Sequence, residues 1–195
     1  MAVRDVVKDA TLRVIATEGV RAVTIRRVAV ELGRSTPVVP HYFSDRNELL
    51  RESVGEALSE RRAQIESRLE SAEDPLWVFL DWSIEADPEG VWGAIVTAAR
   101  AGIEPEVTER ARAFEQWWGE RLLELIAGRC AEGRDPGEVV AAVGVVIDGM
   151  MLGLDASSVD PARRRRLLRL LVEPMFVPTT SSERPTRRSQ RPPQP

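Results

Sequence analysis

The 195-residue sequence has one cysteine, Cys130, and one histidine, His41. A lone cysteine excludes an intrachain disulfide, and a lone imidazole leaves no pair for a zinc site or a proton relay, so no metal and no cofactor are expected. Long apolar runs are also missing. The best candidate, Val139 to Leu154, is broken by Asp148 and falls short of the roughly 18 to 20 apolar residues of a membrane span. The opening Met1-Ala2-Val3-Arg4-Asp5 lacks the basic-then-apolar layout of a secretory signal, so a cytoplasmic location without membrane contact is expected. No window alternates apolar and polar residues with period 2, and no internal repeat is visible.

What is present is ordinary for a globular chain, with 43% hydrophobic and 30% charged residues. The formal net charge of −4 is unevenly placed. Residues 1–55 carry nine Arg/Lys against seven Asp/Glu, residues 56–174 fourteen against 23, and residues 175–195 four against one. The basic excess therefore sits at the two ends and the middle is acidic, a distribution compatible with a nucleic-acid partner at one end.

Val3, Val7, Ala10 and Val14 recur at helical spacing up to Glu18-Gly19, predicting a first helix. Thr24 is a suitable N-cap for a second, which carries Ile25, Val28, Ala29 and Leu32 and stops at Gly33. Ser35 or Thr36 can cap a third short helix with Pro37 in its first turn, and Ser44 a longer fourth one containing Leu50, Val54, Leu58, Ile65 and Leu69. Further helices are predicted over 75–85, 90–101, 105–131, 136–157 and 161–172, and a disordered Pro/Ser/Arg-rich tail from Pro178. The fold class is all-α: an N-terminal three-helix helix-turn-helix head (1–50), a helical ligand-binding and dimerisation body (51–176), and the tail (177–195).

Two short helices joined by a Gly-containing turn form a helix-turn-helix, whose second member can lie in the DNA major groove. Across residues 23–50 the run VTIRRVAVELGRSTPVVPHYFSDRNELL resembles the head of the TetR family of bacterial repressors, with its Thr-capped helix, Ala-x-x-x-Gly-x-Ser, His-Tyr-Phe and a following Leu-Leu. Its Thr-Pro-Val-Val-Pro-His-Tyr-Phe wording is similar to the branch of choline-responsive regulators. The resemblance implies a dimer binding a pseudo-palindromic double-stranded operator, and control by a small-molecule inducer.

The family pattern gives each matched position a task. Thr24 and Ser35, at helix N-termini, can direct hydroxyl and N–H groups at phosphates. Tyr42 and Arg46 match phosphate contacts, and Arg34 adds another. Thr36, Pro37, Val38 and His41 are expected to meet base edges, with Pro37 and Val38 suited to thymine methyls. Arg26 and Arg27 fit either a solvated helix face or DNA contact, and His41 either a base contact or a capping surface residue. Pro40 departs from the pattern: it removes one backbone hydrogen bond from the recognition helix and disfavours helical geometry at Val39.

All five tryptophans lie between residues 77 and 118. Trp77, Phe79, Asp81, Trp92, Phe114, Trp117, Trp118 and Met150 are the candidate lining of an inducer cavity between helices, core packing being the alternative for each aromatic. Asp81, Glu85 and Asp148 could counter a cationic ligand or simply be solvated. The helix from Pro136 is apolar nearly all round and needs more cover than one small body offers. Val143, Val146, Met150, Leu154, Leu167, Leu168 and Leu171 are therefore the expected dimer interface, which the resemblance places in a four-helix arrangement. Two rival functions are a small-molecule enzyme using Ser83 or Ser157, for which no Ser-His-acid set can be assembled, and a helical interaction protein that binds no DNA, against which Tyr42 and Arg46 argue.

Overall fold

A computed structural model describes residues 2–33, 38–85, 90–151 and 160–177. Among them are eight α-helices and no strand beyond a single bridge between Cys130 and Phe176.

The first helix, α1 (Val3–Glu18), buries Val7, Ala10 and Val14 of the stripe that its spacing predicts, together with Ile15, whereas Val3 at its start is exposed. Gly19, at a φ of 85°, ends it and leads into a 3-10 turn at Val20–Ala22. In α2 (Ile25–Glu31) the Thr24 hydroxyl accepts the Arg27 N–H at 3.0 Å, satisfying one of the unpaired donors of a helix start. Next comes α3 (Arg46–Leu69), which begins among the head helices and ends among those of the body.

Ser44 does not cap α3 as expected. Asp45 does, accepting the Glu48 N–H at 2.8 Å, while the Ser44 N–H and hydroxyl donate to the Glu48 carboxylate. The charged acceptor takes the cap, because a carboxylate bonds the exposed N–H groups and meets the positive end of the helix dipole.

The body contains α4 (Pro75–Ser83), α5 (Val91–Arg100), α6 (Pro105–Ile126), α7 (Pro136–Met151) and α8 (Pro161–Val172). Two helices are shorter than their sequence pattern: α4 ends at Ser83 instead of Glu85, and α6 at Ile126 instead of Ala131. Beyond Ile126 the backbone of Ala127 turns extended and Gly128 takes a φ of 73°, which the missing Cβ allows. Residues 173–177 fold back on this turn. Ala131 donates to the Met175 carbonyl and Val177 to the Arg129 carbonyl, at 3.0 and 2.7 Å.

α6 packs on α3, α5 and α7, and α1 reaches both α3 and α5, so the head rests directly on the body. Val39, Phe43, Leu49 and Leu50 close the head core, and Phe79, Leu80, Leu122, Ile126 and Leu168 fill that of the body. The cover that the apolar face of α7 was expected to find in a second copy is partly supplied from within: α8 buries Leu168 completely against the core.

Candidate functional site

Within the head, the described half of the recognition segment is a tight turn. The Tyr42 and Phe43 N–H groups both donate to the Val39 carbonyl, at 3.0 and 3.1 Å, and Val39 and Phe43 are buried. Pro40, having no N–H, can continue neither a helical nor a ladder pattern. Val38 is half-buried and His41 exposed, with its ring edge-on to that of Tyr42 at 4.8 Å. Arg34, Ser35, Thr36 and Pro37 lie outside the described residues. Thr24 is exposed and Arg26 as well, whereas Arg27 is tied to Glu18 and Glu31.

Arg4 holds this turn in place, a role that no motif in the sequence signals. Its guanidinium donates to the Tyr42 carbonyl at 2.6 Å, pairs with Glu52 and lies 4.4 Å from the centre of the Phe43 ring.

Arg46 faces the body. Its Nε donates to the Val23 carbonyl at 2.6 Å and its Nη2 to the Val20 carbonyl at 3.2 Å, while both terminal nitrogens meet the Glu104 carboxylate at 2.9 and 2.8 Å. End-on bidentate pairing of this kind, two parallel N–H···O bonds, is a strong form of the arginine–carboxylate contact. Hydrogen bonding to Arg46 holds the Glu104 carboxyl below the usual glutamate range, and the same bonds raise Arg46 above its ordinary value.

In the body a cavity of about 180 Å³ lies between α3, α4, α5, α6 and α7. Its walls are Trp82 from α4, Trp92 and Val96 from α5, Phe114 and Trp118 from α6, and Ile147 and Met151 from α7. Trp92 meets Phe114 edge-on at 5.0 Å, and Trp118 stacks on the buried Phe79 ring at 5.8 Å. The Trp118 indole N–H donates to the Ser83 hydroxyl at 2.9 Å, which in turn donates to the Phe79 carbonyl. The polar tip of the tryptophan is therefore satisfied while its ring faces inward.

Charged groups complete the lining. Arg61 of α3 places its guanidinium 4.7 Å from the Trp82 ring and 5.3 Å from the Trp92 ring, a cation between two aromatic faces. Arg100 pairs with Asp148 and reaches Glu115 at 3.7 Å.

Of the aromatic positions chosen from sequence, Trp92, Phe114 and Trp118 line this cavity. Phe79 sits behind it, packed on Trp82 and Trp118. Trp117 turns toward α3, under Arg62 at 4.8 Å, and borders a separate hollow with Gly55 and Arg110. Trp77 packs on Phe176 with Arg169 over its ring, and Asp81 faces Arg169 at 3.5 Å, so both join α4 to the C-terminal helices. Met150 is buried in the core and Met151, one position on, reaches the cavity. Sequence reasoning misses Arg61, Ser83, Val96, Arg100, Glu115 and Ile147. Starting from Trp92, the helical spacing of Val96 and Arg100 could have found two of them.

The expected dimer residues divide. Val143, Met150 and Leu168 are core residues of one subunit, Leu154 lies outside the described residues, and Val146 and Leu167 are half-buried. Leu171 is 50% exposed, beside Leu170 at 70% and Val145 at 72%.

A short-helix head is set on an all-helical body, and the helix that leaves the head reaches an aromatic-walled cavity. Residues 8–53 match the sequence model of "Bacterial regulatory proteins, tetR family". The HTH-type transcriptional regulator BetI of Escherichia coli strain UMN026 is 34% identical over 82 residues, which cover 40% of this chain and 42% of that one. BetI 1 of Chromohalobacter salexigens is 25% identical over 187 residues, 89% of this chain and 90% of the relative. Among solved structures, a regulator from Saccharomonospora viridis in complex with choline superposes with a TM-score of 0.77 at 18% identity, covering 91% of this chain and 98% of that one. A TetR-family regulator from a Rhodococcus species gives 0.74 at 20%, covering 88% and 97%. The head of the chain is thus similar to the tetR-family head over residues 8–53, and the chain as a whole shares the fold of these solved regulators.

Proposed function

We propose that this protein is a cytoplasmic, non-enzymatic transcriptional repressor that binds a pseudo-palindromic operator as a homodimer and releases it when a small amphipathic molecule enters the cavity. The observation that carries this reading is the course of α3: one helix starts in a family head with Arg46 and places Arg61 on the cavity wall. A ligand that moves α3 moves the head with it, and its effect on DNA must be reciprocal.

The cavity chemistry suits an inducer with an apolar body and a cationic group. The Trp82 and Trp92 faces already attract a guanidinium, and Glu115 and Asp148 stand at the rim. The choline held by the Saccharomonospora viridis regulator is a small cation of that kind.

The test is a gel shift on duplex DNA flanking the protein's own gene, with choline as the first probe and a panel of organic cations after it. An inducer is expected to release the duplex and to perturb tryptophan fluorescence over the same concentrations, with an effect of about 5- to 150-fold on affinity. A compound that releases DNA from wild-type and Trp92→Ala protein at equal concentration would place the inducer site elsewhere.

A further inference from the structure

We propose that Glu104 competes with the DNA backbone for Arg46, so that the pair is the joint through which the body controls the phosphate grip of the head. This rests on the head binding DNA as proposed above.

Arg46 has five N–H donors, and four are used in the position described, two of them on Glu104. A guanidinium so occupied has one donor left for a phosphate. A two-pronged grip on a phosphate therefore requires Arg46 to exchange one carboxylate for another anion. Its carbonyl partners do not compete in the same way, since the Val20 and Val23 oxygens bear no net charge. The bonds to them hold Arg46 at the base of the head, next to Thr24, the N-cap of α2.

Glu104 is fixed where α6 begins. It precedes Pro105 and takes an extended backbone, as a residue before proline must, which frees its side chain from the helix. Both partners are largely covered, with side chains 28% and 15% exposed, and Arg21 adds positive charge near Glu104. The pair is thus less screened by salt than a surface ion pair.

The same α6 supplies Phe114, Glu115 and Trp118 to the cavity. Phe114 lies ten residues after Glu104, about 15 Å along the helix axis. A tilt of about 6° pivoting at Phe114 displaces Glu104 by about 1.5 Å. That is enough to break or make a hydrogen bond whose distance limits span about half an ångström. Cavity occupancy is in this way converted into the freedom of one arginine, without any contact between ligand and head.

The experiment compares wild type with Glu104→Gln, Arg46→Ala and the double variant, on the duplex flanking the gene and on a random-sequence duplex of equal length. Affinity is read by fluorescence anisotropy across a salt series, and thermal unfolding checks that each variant is folded. Glu104→Gln keeps the shape of the side chain and removes its charge. It is expected to bind both duplexes about three- to tenfold more tightly, with a salt slope steeper by about 0.9 for each additional phosphate neutralised. Arg46→Ala is expected to bind more weakly than wild type, and the double variant to match Arg46→Ala. A merely structural pair would weaken binding in both single variants and leave the slope unchanged, and that result overturns the proposal. An unchanged Glu104→Gln affinity overturns it too. Failure of the wild-type protein to retain any duplex would instead overturn the reading of the head as a DNA binder.

Discussion

At the scale of single residues, the ion pairs of this protein are specific enough to predict how it responds to acid. Hydrogen bonds from Arg46 stabilise the charged form of Glu104 in the folded chain and lower its pKa. A group of this sign contributes stability that is fully present above its unfolded value, near 4.5, and that is lost as pH falls through the lower folded value. Asp74, held down by Arg129, acts in the same direction. Wild-type protein and Glu104→Gln should therefore differ in melting temperature at pH 7, and the difference should shrink once pH falls below about 4.5. A gap that stays constant down to about pH 3 would mean that Arg46 does not stabilise the ionised carboxylate.

At the scale of elements, much of the chain was legible because local chemistry and packing agree. Thr24 caps α2, Gly19 and Gly33 punctuate the head, and proline opens α4, α6, α7 and α8 in the sequence and in the fold. Periodicity could not decide between neighbours on a crowded helix. α7 is apolar nearly all round, and only its packing in the folded chain places Met151 at the cavity and Met150 in the core. Nor could it reveal the long-range partners of the arginines: Arg4 with the Tyr42 carbonyl and Arg46 with Glu104 are separated by 38 and 58 residues. The start of α4 shows both kinds of information at one residue. Asp74 accepts the Trp77 N–H as N-cap, which its place before Pro75 suggests, and also binds Arg129 through both oxygens at 2.7 and 3.1 Å, which nothing local suggests. Asp74→Asn retains a capping oxygen and loses the charge, whereas Asp74→Ala loses both. The alanine variant should be the less stable of the two by about 1 kcal/mol, the usual worth of a cap, measured by chemical denaturation. Equal losses would show that the cap contributes nothing beside the pair.

At the scale of the whole molecule, the proposed pairing of two heads would run through the outer face of α7 and α8. Val145, Leu170 and Leu171 are exposed large apolar side chains, whereas Leu168, across α8 from Leu170, is buried completely. These two sides make separable predictions. Leu168→Ala removes buried volume from one subunit and should cost about 2 to 5 kcal/mol of stability. Leu171→Glu removes nothing from the core of its own subunit, but in a dimer it would bury an unpaired charge at each copy of a two-fold interface. It is expected to leave the single subunit folded by circular dichroism and to shift its mass in sedimentation from two chains to one. DNA binding should fall with it. A dimer presents two recognition segments to successive major grooves, about 34 to 36 Å apart, so a lone subunit keeps only half of the contacts and about half of the salt dependence. A Leu171→Glu protein that still sediments as a dimer would move the interface off this face, and a monomer that binds the operator with undiminished affinity would show that one head is sufficient.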